Sequence, residues 1–137
     1  MRLILLTQVL TLSALVYAHG ALCGPNAGKV TQPMLLLTEK DEGRTVDIRV
    51  GQELRVSLPE NATTGYRWAT EHYPEEFIET IAIEPRYTAN AVGSGGLVAF
   101  VFRGAKVGSG EIVLKHWRHS EGDRSITRRF RLRVNVQ

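Results

Sequence analysis

The C-terminal segment alternates strictly: Phe130, Leu132, Val134 and Val136 are apolar, while Arg129, Arg131, Arg133 and Asn135 between them are charged or polar. A period of two puts one set against a core and the other in water, which a strand does and a helix cannot. The same period recurs in Val46, Ile48 and Val50 against Asp47 and Arg49. It appears again in Leu54, Val56 and Leu58 against Arg55 and Ser57, and resumes at Tyr66 and Trp68. Met34 to Leu37 and Ile112 to Trp117 are further short strand candidates. Leu97 to Phe102 is apolar on both faces, as a central strand is. Phe77 to Ile83 fits a short helix or a strand, with strand favoured at Ile81 to Ile83, where β-branched residues alternate.

Turn residues separate these runs: Glu39 to Arg44, Gly51-Gln52, Pro59 to Gly65, Pro85 to Gly96, Gly104 to Gly110 and His119 to Arg124. About seven or eight short strands with no convincing long helix predict an all-β chain, an immunoglobulin-like β-sandwich. In an immunoglobulin-like strand count, the loops around Thr63-Thr64-Gly65, Gly93 to Gly96 and His119 emerge at one end. Trp68, on the third strand of that count, is expected in the core.

The 137 residues suggest one domain. Met1-Arg2, the apolar run Leu3 to Val16 and small residues at Ala18 and Gly20 form a signal-peptide pattern over 1–18. Val16-Tyr17-Ala18 is the best cleavage site, Gly20 and Ala21 are close rivals, and an uncleaved anchor is the alternative. Residues 19–33 read as a flexible leader and 34–137 as the domain, in an exported protein, periplasmic or secreted. Cys23 is the only cysteine, so no internal disulfide can form. Its place past an apolar run suits a bacterial lipid anchor, but Leu22 stands where a small residue is wanted, so a free thiol is the expectation. Net charge is +3, with acids and bases interspersed, which gives no case for nucleic acid.

No catalytic set stands out. Cys23 lies outside any framework that could hold it near a histidine. His72, His116 and His119 lack a recognised metal-ligand spacing. No carboxylate pair is evident, and the glycine run lacks the lysine and helix that phosphate binding needs. The expectation is a protein with no catalytic residue, metal or cofactor. Outward Arg128, Arg129, Arg131 and Arg133 read as a solvated sheet face or protected edge, with an acidic partner as the alternative. Asn61-Ala62-Thr63 matches a glycosylation acceptor, a pattern common by chance.

By itself Thr63-Thr64-Gly65 is a surface turn. Together, the three loops resemble the chagasin family of cysteine-protease inhibitors. That family carries Asn-Pro-Thr-Thr-Gly-(Tyr/Phe) in its first loop, where this chain has Asn61, Ala62, Thr63, Thr64, Gly65 and Tyr66, followed by Trp68. Its second loop carries Gly-x-Gly-Gly, matched by Gly93, Ser94, Gly95 and Gly96. Its third carries Arg-Pro-Trp, where this chain has Trp117, Arg118, His119 and Ser120. Ala62 in place of Pro loosens the first loop, and Trp117 precedes Arg118 rather than following it. The resemblance spans roughly Leu36 to Val136. It implies a monomeric, reversible, tight-binding inhibitor of papain-like, cathepsin-like proteases. Asn61 to Tyr66 would enter the cleft, Gly93 to Gly96 and Trp117 to His119 would grip its rims, and the mature domain would insert in no membrane. The competing readings are a non-inhibitory cell-envelope module for carbohydrate or adhesion, and a metal-binding envelope protein using its histidines.

Overall fold

The computed structural model describes residues 31–87 and 95–137. Its strands are β1 Leu35–Thr38, β2 Thr45–Ile48, β3 Glu53–Glu60, β4 Arg67–His72, β5 Ile78–Arg86, β6 Gly96–Gly104, β7 Gly108–Trp117 and β8 Arg128–Val136. They form two four-stranded sheets, ordered β1-β3-β6-β5 and β2-β8-β7-β4. In immunoglobulin lettering these are A-B-E-D and A′-G-F-C, the sandwich expected from the alternation.

The alternating apolar residues turn the two sheets toward each other. Leu54, Val56 and Leu58 of β3 lie opposite Phe102, Phe100 and Val98 of β6. They meet Ile112 and Leu114 of β7 and Phe130, Leu132 and Val134 of β8 in one buried cluster. Each such side chain contributes about 1.5–3 kcal/mol on leaving water. Trp68 joins them at 6% exposure, its indole N–H donating to the Pro59 carbonyl at 2.9 Å. The outer face of β6 is covered as well. Arg55 of β3 and Glu84 of β5 pair at 2.8 Å across Ala99 and Val101, which explains why this strand is apolar on both sides.

The edges depart from the sequence reading. Phe77 to Ile83 contains no helix: β5 starts at Ile78, after a turn in which the Ile78 N–H donates to the Pro74 carbonyl at 3.0 Å. It then runs through Pro85 and Arg86, which were expected to be loop. An edge strand tolerates proline because one row of its N–H groups has no ladder partner. β2 stops at Ile48 and leaves Val50 in the next turn, and β1 is shifted one residue, to Leu35–Thr38. Between β1 and β2 the chain crosses from one sheet to the other, so both run parallel to their neighbours, β3 and β8. Asp41 braces that crossing by accepting the Thr38 N–H at 2.8 Å and pairing with Arg44. The Thr38 bond first, and Arg44 next, hold its carboxyl below the usual aspartate range.

Candidate functional site

The connections β3–β4, β5–β6 and β7–β8 meet around an open hollow of about 600 Å³. The first contributes Asn61, Thr64 and Tyr66, the second Gly95 and Gly96, and the third Arg118 and Thr127.

The first connection is braced from within. Asn61 caps a 3₁₀ turn over Ala62–Thr64, its Oδ1 accepting the Thr63 N–H at 3.1 Å and the Thr63 hydroxyl at 2.7 Å. The Thr64 hydroxyl donates to the Asn61 carbonyl at 2.8 Å and accepts the Tyr66 N–H at 3.3 Å. Gly65 ends the turn at φ +77°, a left-handed conformation that side chains disfavour. Both threonine hydroxyls are thus held by the turn itself. Thr63, Thr64 and Gly65 are all exposed.

Beneath this turn, Tyr66, His116 and Trp68 form a stack, with ring centroids 5.3 Å apart for Tyr66–His116 and 5.0 Å for Trp68–His116. Trp68 and His116 are directly opposite in the β4–β7 ladder and so share a face. His116 Nδ1 lies 2.9 Å from the Thr127 hydroxyl. Burial lowers its pKa, Arg128 adds to the lowering, and Glu60 opposes it. The Arg118 guanidinium lies over the Tyr66 ring at 4.5 Å and bonds Glu121 at 2.8 Å.

The third connection winds through two short turns, His119–Glu121 and Asp123–Ser125. Its centre is the buried Ser125 hydroxyl, which accepts the Arg118 N–H at 2.9 Å and lies 2.6 Å from the Gly122 carbonyl. Trp117 takes the other side of the tip. It stands opposite Arg67 on the outer face of its sheet, with Lys115 Nζ 3.8 Å from its ring and His119 edge-on at 5.4 Å.

Of the residues singled out in the sequence, the structure thus gathers Asn61, Thr64, Tyr66, Gly95, Gly96 and Arg118 at the hollow. Ala62, Thr63 and Gly65 crown the turn beside it, and Trp117 and His119 sit to one side. Gly93 and Ser94 lie outside the described residues. Sequence reasoning weighed His116 only as a metal ligand and missed Glu60 and Ser125, which gather around these loops; the turn-forming types Asn61, Thr63 and Thr64 were the local signal for the first loop. Among the described residues, no group of His, Cys, Asp or Glu is arranged to hold a metal ion, and His72, His116 and His119 do not form one.

This geometry defines a class: an immunoglobulin-like binding domain that presents three loops at one tip. Residues 47–134 match the model of the chagasin family peptidase inhibitors, I42. Amoebiasin-1 of Entamoeba histolytica is 31% identical over 105 residues, covering 74% of this chain and 98% of the relative. The solution structure of Amebosin superposes with a TM-score of 0.66 at 31% identity, over 77% of this chain and all of that one. The crystal structure of the cysteine protease inhibitor EhICP2 from Entamoeba histolytica gives 0.68 at 24% identity, over 76% and 96%, and so speaks for the fold. The chain belongs to the chagasin family. Its function is cysteine-protease inhibition, not catalysis.

Proposed function

We propose that this chain inhibits papain-like proteases reversibly by seating the Asn61–Tyr66 turn in the active-site cleft. Gly93 to Gly96 and Trp117 to His119 lie against the rims. The observation that carries this reading is the internal bracing of the first loop. A 3₁₀ turn closed by Asn61 and Thr64, ending in left-handed Gly65, is not the extended strand that a protease cleaves. It fills a cleft without offering a peptide bond in substrate register. A turn already in its bound shape also loses little entropy on docking. The mechanism needs no covalent step, since Thr63 and Thr64 have no neighbouring base. Inhibition is tested with excess papain, followed by mass spectrometry and dilution: the chain should stay intact and activity should return. Cleavage between Asn61 and Tyr66, or a lasting adduct, rejects the mechanism.

The same reading places the protein outside the cytoplasm as a monomer, periplasmic or secreted. Its support is the pattern over 1–18, which lies outside the described residues, and the proposed leader over 19–33. Among the described residues no helix is long and apolar enough to cross a membrane. The end of the leader touches the domain, where the Gln52 side chain donates to the Pro33 carbonyl at 2.9 Å. A chain beginning at Thr31 should therefore melt within a few degrees of the processed protein, and the exported form should begin near His19.

A further inference from the structure

Glu60 is the only charged residue buried among those described, at 4% exposure. It is the last residue of β3, and its carboxylate reaches both connections at once. Oε2 accepts the Trp68 N–H at 2.6 Å, which closes the base of the first loop. Oε1 accepts the Tyr87 hydroxyl, and Tyr87 is where the chain leaves β5 for the glycine connection. Arg67 completes the cluster, 3.5 Å from Oε1 and with its guanidinium 5.4 Å from the centre of the Tyr87 ring. The far side of the glycine connection is tied in by shape. Gly96 pairs with Glu60 in the β3–β6 ladder, and a Cβ at Gly96 would stand 2.5 Å from the Tyr87 ring and 2.6 Å from the Arg86 carbonyl. Gly96 is therefore glycine for an internal reason: its missing side chain is the slot in which Tyr87 lies to reach Glu60. Burial and the Glu60 bond both raise the Tyr87 pKa, which keeps the phenol protonated as the donor.

We infer that Glu60 and Tyr87 are positioning residues that set the spacing between the first loop and the described ends of the glycine connection, Tyr87 and Gly96. Through them the tip presents the two loops together. The inference rests on the inhibitory reading of the tip. A buried carboxylate is expensive unless its lone pairs are used, and here they join the foot of the first loop to Tyr87 at the entry to the glycine connection. Without the link the strand ends stay paired through Glu60 and Gly96, but the Tyr87 side of the glycine connection is released from the foot of the first loop. Only a fraction of molecules is then ready to dock, and apparent affinity falls by that fraction.

The test is Tyr87→Phe, which keeps the ring in its slot and removes only the hydroxyl, beside Glu60→Gln and the pair combined. Gly65→Arg serves as a control on the first loop. Ki, kon and koff for papain are measured on protein titrated for active molecules, with melting temperatures alongside. Tyr87→Phe should raise Ki about tenfold, almost entirely through slower association. The double variant should be little worse than the worse single one, because the two residues act through one bond. An unchanged Ki with a lowered melting temperature would make the cluster purely structural and overturn the inference. A loss carried by koff would mean that Tyr87 itself touches the protease, and would overturn it too. If Gly65→Arg inhibits like the parent, the inhibitory reading of the tip fails. If Gly65→Arg loses inhibition while Tyr87→Phe does not, only the positioning role fails.

Discussion

The tip of the first loop is braced by bonds between residues two or three apart, whereas the third loop hangs on a serine seven residues from the peptide it holds. Asn61, Thr63 and Thr64 close the first turn within a few atoms of the surface they present. In the third loop the Ser125 hydroxyl organises the whole path from Arg118 to Thr127, and Gly122 adopts φ +70° and ψ −164°, open only to glycine. The first loop can thus hold its shape as a local unit, while the third depends on a long connection folding correctly. The aromatic residues follow the same division. Trp68 roots the first loop in the core, and Trp117 lies flat on the outside beneath Lys115.

The sharpest test of this contrast compares the two tryptophans. Trp68→Ala removes a buried indole and its bond to Pro59, and should lower stability by about 3–5 kcal/mol. Trp117→Ala should lower it by less than about 1 kcal/mol while weakening inhibition. Chemical denaturation of both variants decides, and near-equal losses would break the comparison.

Next in size is bulk added at each loop. A Cβ at Gly65 would meet nothing nearer than Arg118 Nε at 3.9 Å, so the side chain of Gly65→Arg starts without a clash. It bears only the left-handed strain of about 1–2 kcal/mol. Its effect falls on docking, where Ki should rise at least about 100-fold, equivalent to about 2.7 kcal/mol at 1.36 kcal/mol per decade. Ser120→Arg, at an exposed position of the third loop, should change Ki less than about threefold on the same scale. Circular dichroism confirms folding and papain inhibition ranks the loops; equal losses would deny the first loop its leading place.

A smaller effect separates the two braces. Ser125→Ala leaves the Arg118 N–H without its acceptor and should reduce stability by about 1–3 kcal/mol. Asn61→Ala loses a cap worth about 1 kcal/mol. Relative to those stability changes, Asn61→Ala should weaken inhibition more, because its loss falls at the docking surface. Thermal melts paired with Ki values test this, and the reverse ranking would show that the third loop dominates docking.

These differences also explain what the sequence could reveal. A period of two made β3, β8 and the burial of Trp68 legible, and an apolar run on both faces marked β6; β7 was legible only from Ile112, since its start at Gly108 fell in an expected turn. The Asn61 turn was legible for a similar reason, since its partners are near neighbours in the chain. Glu60 and Tyr87, 27 residues apart, were not, because no local pattern announces a bond between two strand ends. Ser125 resembled any polar loop residue. Trp117 was read as a candidate aromatic contact, and strand alternation turned it away from His116 and the hollow. Pro85 suggested a loop because proline breaks ladders, but an edge strand has one row of N–H groups with no ladder partner to lose.

The smallest expected effect is a pH dependence at the joint between the first and third loops. His116 stacks under Tyr66 of the first and follows Lys115 on the strand that leads into the third. Its folded pKa lies below the ordinary 6.5, because burial and then Arg128 oppose a second positive charge more than Glu60 invites one. The unfolded chain therefore takes up the proton first as pH falls. The stability that neutral His116 contributes is complete above pH 6.5 and is lost as pH drops through the lower folded value. Asp41, Glu71 and Asp123 also have lowered pKa values and lose their contributions in the same direction, but only in the carboxylate range. Between pH 7.5 and about 5 the slope should thus belong mainly to His116. His116→Gln, which keeps a polar contact for Thr127, should flatten that slope whatever it does to absolute stability. Melting temperatures of parent and variant across this range provide the measurement. A parent protein that grows more stable on acidification would show that Glu60 outweighs burial, and that the joint tightens in acid.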